Sequence, residues 1–201
     1  MTLDITFYGL KHSRSDRVHW TLLELGLEFE MIEDRALLGS DQLRKVHPQA
    51  KLPAVVIDGI PLFESAAICT YLCDLTPGAN LIAPQGSRER ALHAQWTSFV
   101  LTELEAYLWS NLKHENLYPE EKRVPAIVEP NNEEFRSGAK VLDDALAEVS
   151  YLVGDCFSVT DIIVGWTLNW GRRSGHLDGF GHLHTYLERL LAREFCTLAK
   201  G

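Results

Sequence analysis

The chain lacks a run of basic residues, a long apolar stretch, an internal repeat and a low-complexity tract. Each absence removes a class of function. Nineteen Lys and Arg stand against 28 Asp and Glu, a formal net charge of −9, which speaks against a nucleic-acid binder. The most apolar segment, Ile162 to Trp170, falls far short of the roughly 20 residues that span a bilayer, so no membrane partner is expected. The opening MTLDITFYG carries Asp4 and no basic region before an apolar one, so no secretory signal is expected. Cysteine is scarce and scattered: Cys69, Cys73, Cys156 and Cys196. Cys69 and Cys73 are one helical turn apart with no histidine or further cysteine nearby to complete a zinc site, so no metal is expected. Free thiols suit a reducing compartment, and the location expected is cytoplasmic.

What is present is an ordinary globular composition, 46% hydrophobic and 23% charged over 201 residues, enough for one large or two modest domains. The stretch that organises the rest is Lys51 to Ser65. Two short apolar runs, AVVI and IPLF, flank Asp58-Gly59, a dipeptide that supplies the positive φ angles of a tight hairpin. Pro53 opens the first run, and proline is tolerated at the first residue of a strand. Glu64-Ser65 then precedes the helical run Ala66 to Leu72, for which Ser65 is a good N-cap. A strand edge beside a proline, close to a helix N-terminus, suits an extended peptide that carries a carboxylate.

Around this stretch the pattern reads in order. Leu3 to Tyr8 alternates as a strand, and a helix opening near Ser13 carries Val18, Leu22, Leu23 and Leu25 to Gly26. Phe29 to Ile32 is a second strand, with a short helix around Asp41 to Val46. Residues 76–86 are rich in breakers and read as a linker, after which strand patterns vanish. A long helix is expected from Ser87 to about Asn111 and an irregular crossing loop over 112–132, which holds Pro119, Pro125 and Pro130. A helix capped by Asn131 or Asn132 then runs to about Val149. Ser158 and Asp161 have the spacing of a capping box ahead of a buried helix, and a last amphipathic helix runs from about Leu183 to Arg193.

K-L-P-A-V-V, D-G and E-S-A-A-I together resemble the glutathione-binding half of the cytosolic glutathione transferases. Leu152 to Asp161 resembles the second-domain signature of the same family, and Tyr186 to Arg189 does so more weakly. The resemblance implies an α/β thioredoxin-like domain over 1–78, followed by an all-α helical domain over 87–201 that contributes the electrophile site. It implies glutathione as co-substrate, a homodimer and a role in detoxification. By position, Pro53 matches the family's cis proline, Leu52 the residue that pairs its backbone with glutathione, and Glu64 and Ser65 the pair that holds the γ-glutamyl carboxylate. Lys51 stands within reach of the glycine carboxylate. Thr102-Glu103 resemble a pair that some bacterial-type members extend across the dimer interface.

The chemistry such a site must perform is the ionisation of a thiol whose ordinary pKa is about 8.5. A hydroxyl donor near a helix N-terminus favours the thiolate on two counts. Serine-type members place their catalytic serine four residues before an arginine; here the arginine is Arg17 and the match is Ser13. Ser15, Tyr8 and His12 stand as rivals. No cysteine occupies residues 9–17, so a mixed-disulfide mechanism is not expected. Tyr107, Trp109, His114 and Trp166 are candidate liners for a small hydrophobic electrophile, against a plain core role. The alternatives to conjugation are a glutathione-dependent peroxidase, a lyase or isomerase on the same site, or a non-catalytic binding protein of this fold.

Overall fold

The computed structural model describes residues 3–199. They fall into two compact units. The first runs to Pro84 and is rejoined by the segment beginning at Arg193; the second runs from Gln85 to Ala192. The last segment thus belongs with the first unit rather than with the helices that precede it.

The first unit is a four-stranded sheet in the order β2-β1-β3-β4, formed by β1 (Ile5–Tyr8), β2 (Glu30–Ile32), β3 (Ala54–Ile57) and β4 (Ile60–Phe63). β1 and β2 are parallel, joined through α1 (Ser15–Glu24); β1–β3 and β3–β4 are antiparallel. Alternation sets the faces: Ile5 and Phe7 are buried while Thr6 and Tyr8 are half-buried. Asp58 and Gly59 both hold positive φ, +49° and +81°, as the hairpin between β3 and β4 requires. The short helix expected near Asp41 is α2 (Asp41–Arg44), capped by Ser40, whose hydroxyl accepts from the Leu43 N–H.

α1 and α3 (Ser65–Leu75) pack on each other and fill the core with Val18, Trp20, Leu22, Ile68 and Leu72, all fully buried. Two helix starts differ from the sequence expectation. α1 begins at Ser15, two residues beyond Ser13. In α3 the capping position is Glu64, and Ser65 is the first helical residue. The C-terminal segment is tied to α1: Arg193 Nε and Nη2 each donate to the Glu24 carboxylate at 2.8 Å, and Thr197 Oγ1 donates to the Asp16 carbonyl at 2.9 Å. Trp20 Nε1 donates to the same Glu24 at 2.8 Å.

The second unit is all helical. α4 (Arg88–Val100) passes through a π-helical stretch (Leu101–Glu105) into α5 (Ala106–Leu112) and a second π-helical stretch (Lys113–Leu117). The helical path therefore runs about a turn and a half beyond the expected end near Asn111, into the segment read as a crossing loop. α6 (Val128–Ala145) begins before the expected asparagine caps. It takes Pro130 into its first turn, where the missing N–H costs nothing. Gly138 on α6 lies so close to the first π stretch that a β-carbon there would sit 2.7 Å from the Glu103 carbonyl oxygen. α7 (Val159–Arg173) and α8 (Gly181–Leu191) complete the unit.

The expected capping box is formed. Asp161 accepts from the Ser158 N–H (2.8 Å), the Ser158 hydroxyl (3.1 Å), the Leu152 N–H (3.2 Å) and the Tyr186 hydroxyl (2.7 Å), and it is fully buried. Burial pushes its pKa up, and the hydrogen bonds from Tyr186, Ser158 and Leu152 pull against that. The carboxylate thus ties the start of α7 to the preceding loop and to α8. Asp161→Ala should cost about 3–5 kcal/mol in urea unfolding, because buried donors from three segments lose their acceptor. Gly138→Ala should cost about 1–3 kcal/mol through overpacking, despite the better helix propensity of alanine.

Candidate active site

Sheet register brings the candidate residues to one end of the first unit. Ile32, Tyr8, Ala54 and Phe63 are successive cross-strand partners and form one row. The chain leaves β1 after Tyr8 towards Ser13, enters β3 through Leu52-Pro53, and leaves β4 into Glu64-Ser65. All three junctions therefore open at the same sheet end. Leu52–Pro53 is cis, and Leu52 packs with Tyr8 against the small core of Leu37, Leu43 and Ala50.

Ser13 is half-buried just ahead of α1. Its hydroxyl accepts from the Ser15 N–H at 3.1 Å, lies 2.6 Å from the Leu10 carbonyl and 2.9 Å from the Ser15 hydroxyl. Ser15 is 1% exposed, and its oxygen accepts from the Leu10 N–H at 3.1 Å. The two hydroxyls thus close the loop 10–15 on itself, with Ser13 on its open side and Ser15 inside. Of the other rivals, Tyr8 is the last residue of β1, paired on both sides, and His12 is exposed with φ +59°. The His12 N–H is held by the Asp16 carboxylate at 3.2 Å.

Ser65 is buried, and its hydroxyl accepts from Arg17 Nη1 at 3.2 Å. Arg17 is 0% exposed, so α1 and α3 are joined through a wholly buried guanidinium. The sequence used Arg17 only as a marker for Ser13; its side chain forms the floor between the two helix starts. Glu64 stands at φ +74° and ψ 109°, outside the regions open to residues with a β-carbon, and its side chain is exposed. Strain of this kind persists where surrounding structure enforces it, and it clusters at ligand-binding positions. Lys51 is exposed. His47, which sequence reasoning missed, is buried beside Phe63 with ring centroids 4.9 Å apart, and its Nδ1 accepts from the Gln49 N–H at 3.1 Å. Burial lowers its pKa, partly offset by the Glu64 charge. The one signal for it was its place four residues before Lys51.

Chemically, this end of the sheet offers a hydroxyl ahead of one helix N-terminus, a serine and a strained glutamate at another, and the backbone of Leu52 at the cis proline; β3 itself is an inner strand paired on both sides, so the strand edge expected beside the proline is not formed. Donors and partial positive charge converge there in an otherwise acidic chain. The nearest thiol in α3 is no rival nucleophile: burial pushes Cys69 up to about 12.

In the second unit, Thr102 and Glu103 are exposed on the first π stretch. A cavity of about 320 Å³ lies among α5, α6 and the end of α7, with Leu108, Leu112, Val128 and Trp170 as its apolar wall. Asn132, Glu115, Ser174 and His176 supply polar groups. None of Tyr107, Trp109, His114 or Trp166 lines it.

The family models for the glutathione S-transferase N-terminal domain and C-terminal domain match residues 13–75 and 125–189. Glutathione S-transferase GstA of Escherichia coli O157:H7 is 26% identical over 181 residues, 87% of each chain. A ternary complex of BphK, a bacterial glutathione transferase, superposes with a TM-score of 0.85 at 27% identity, covering 95% of both chains. A sphingomonad glutathione S-transferase solved with glutathione shares the fold at a TM-score of 0.83 and 24% identity, over 95% of this chain and 94% of that one. The mixed sheet of the first unit is thioredoxin-like, and an all-helical domain follows it. With both halves matched in order, the chain belongs to the glutathione S-transferase family.

Proposed function

We propose that this glutathione transferase binds glutathione at the sheet end described above and uses the Ser13 hydroxyl to hold its sulfur as the thiolate, for attack on a small hydrophobic electrophile. The observation that carries the reading is the convergence of Ser13, Leu52 and Ser65 through one row of the sheet register. Leu52, held in a cis bond to Pro53, offers backbone to an extended peptide; Glu64 and Ser65, at the start of α3, take the γ-glutamyl end. The exposed Lys51 takes the glycine carboxylate.

The Ser13 proton must turn from the Leu10 carbonyl to the sulfur, a rotation a hydroxyl makes freely. Ser15 can then donate to the Ser13 oxygen across 2.9 Å, so that the pair acts in relay. The N-terminal turn of α1 adds its partial positive charge. The reading includes a homodimer, in which Glu103 reaches the partner's glutathione. Ile60, Phe63 and Tyr71 give the first unit exposed apolar surface for such an interface, at 67%, 39% and 43% exposure. It also includes a cytoplasmic location and a role in detoxification, consistent with four free cysteines.

Ser13→Ala should lower turnover by about 10²-fold or more while leaving glutathione affinity within a few-fold. The bound thiol, read by its ultraviolet thiolate absorbance across pH, should titrate below about 8.5 in the parent and return towards that value in the variant. An equal loss of affinity and turnover moves the catalytic role elsewhere, and Ser15→Ala tests the nearest alternative. Glu64→Gly should remove the β-carbon conflict and raise stability by about 1 kcal/mol in urea, while calorimetry records at least a tenfold loss of glutathione affinity. Unchanged affinity would remove Glu64 from the site.

A further inference from the structure

The cavity in the helical unit has a built-in polarity. Asn131 Nδ2 donates to Asn111 Oδ1 at 2.8 Å, and Asn111 Nδ2 donates to Asn132 Oδ1 at 2.7 Å. Asn131 and Asn111 are buried, and each is engaged through its side-chain amide in this arrangement. Its last member, Asn132, has its carbonyl occupied, and its amide NH₂ has no acceptor among the described residues. Asn132 is half-buried in the cavity wall. The wall thus ends in a preorganised donor that asks for an acceptor.

Two further groups limit what that acceptor can be. Glu115 lines the cavity, is exposed, and has no lysine or arginine partner among the described residues. His176 lines it from a well-held backbone: its N–H donates to the Gly171 carbonyl at 2.9 Å, and its carbonyl accepts from Arg136 Nη1 at 3.1 Å. Neither ring nitrogen has a hydrogen-bond partner among the described residues. Burial lowers the His176 pKa, which favours the neutral ring, so among the described residues of the wall Glu115 carries the one full charge, and it is negative. An anionic acceptor is therefore repelled, and a neutral one is accepted. Trp170, Leu108 and Leu112 give an apolar face. A cavity of about 150 Å³ holds benzene, so the 320 Å³ here takes two fused rings with a short substituent.

We infer that this cavity binds neutral one- or two-ring aromatic carbonyl compounds, with the carbonyl oxygen on Asn132 Nδ2 and the ring against Trp170, and discriminates against aromatic carboxylates through Glu115. The inference concerns a cavity within the second unit and stands apart from the Ser13 reading.

The test uses calorimetry on the full chain without glutathione, with three matched probes: 2-acetylnaphthalene, 2-ethylnaphthalene and 2-naphthoate. The parent should bind the ketone at least tenfold more tightly than either of the others. Asn132→Leu should abolish the preference for ketone over hydrocarbon, a ratio that a general loss of affinity does not mimic. Glu115→Gln, a surface change, should strengthen naphthoate binding at least threefold and leave the ketone unchanged. Ser174→Trp, at an exposed position on the wall, should weaken all three. Equal affinity for ketone and hydrocarbon in the parent, a ratio that survives Asn132→Leu, or naphthoate binding indifferent to Glu115 would each overturn the inference. Since no turnover is measured, its failure and the failure of the Ser13 reading are separate results.

Discussion

The guanidinium of Arg17 is the group on which the first unit depends. A wholly buried cation is tolerated only where neighbours meet its donors, and the Ser65 hydroxyl is one of them. Arg17 sits in the first turn of α1 and Ser65 at the first position of α3. Satisfying this charge therefore brings two helix N-termini together. The sheet register does the rest, because Tyr8, Ala54 and Phe63 share a row and their connections have nowhere else to emerge. Ser13 is forty residues before Pro53 and Pro53 twelve before Ser65, yet one ion and one row of strand pairs assemble them.

That assembly also answers the electrostatic difficulty of an acidic chain that binds an anion. With a formal net charge of −9 the long-range field is unfavourable. Screening confines that field to about 8 Å at physiological ionic strength. Within that distance the starts of α1 and α3 supply partial positive charge. The strain at Glu64 belongs to the same account. A positive φ turns the chain sharply between the end of β4 and α3, which lets the first N–H groups of the helix face the sheet end instead of continuing the strand direction. A residue without a β-carbon would hold that turn at lower cost.

Much of this was legible from residue order alone. The hairpin at Asp58-Gly59, the strand alternation in β1 and the capping box at Ser158 and Asp161 are local patterns whose physics acts within a few residues, and each is present in the fold. Ser65 was legible as a polar residue at a helix start but not in its role: a serine reads as a cap from sequence, whereas here its hydroxyl is engaged by an arginine 48 residues away. His47 was marked only by its place ahead of Lys51, because the ring it packs beside, Phe63, lies on β4. The ties of Arg193 to Glu24 and of Thr197 to Asp16 join segments 169 and 181 residues apart, and no periodicity announces them.

The helical unit shows a sharper limit. Tyr107, Trp109 and His114 were candidate liners of an electrophile site; the cavity in this unit is a separate finding, lined from the same stretch by, among others, Leu108, Asn111, Leu112 and Glu115. Those four follow the i, i+3, i+4, i+7 spacing of a single helical face. The spacing is regular; the orientation of the face is what sequence could not supply. Each π stretch carries an extra residue per turn, and one residue corresponds to about 100° of rotation, so a face projected forward from α4 arrives at α5 on the wrong side. The first π stretch occurs where α6 presents Gly138, whose missing side chain makes room for the Glu103 carbonyl. A glycine on one helix thus accommodates the displaced backbone of another, and the displacement decides which side chains reach the cavity. The amide chain from Asn131 through Asn111 to Asn132 joins this face to the start of α6.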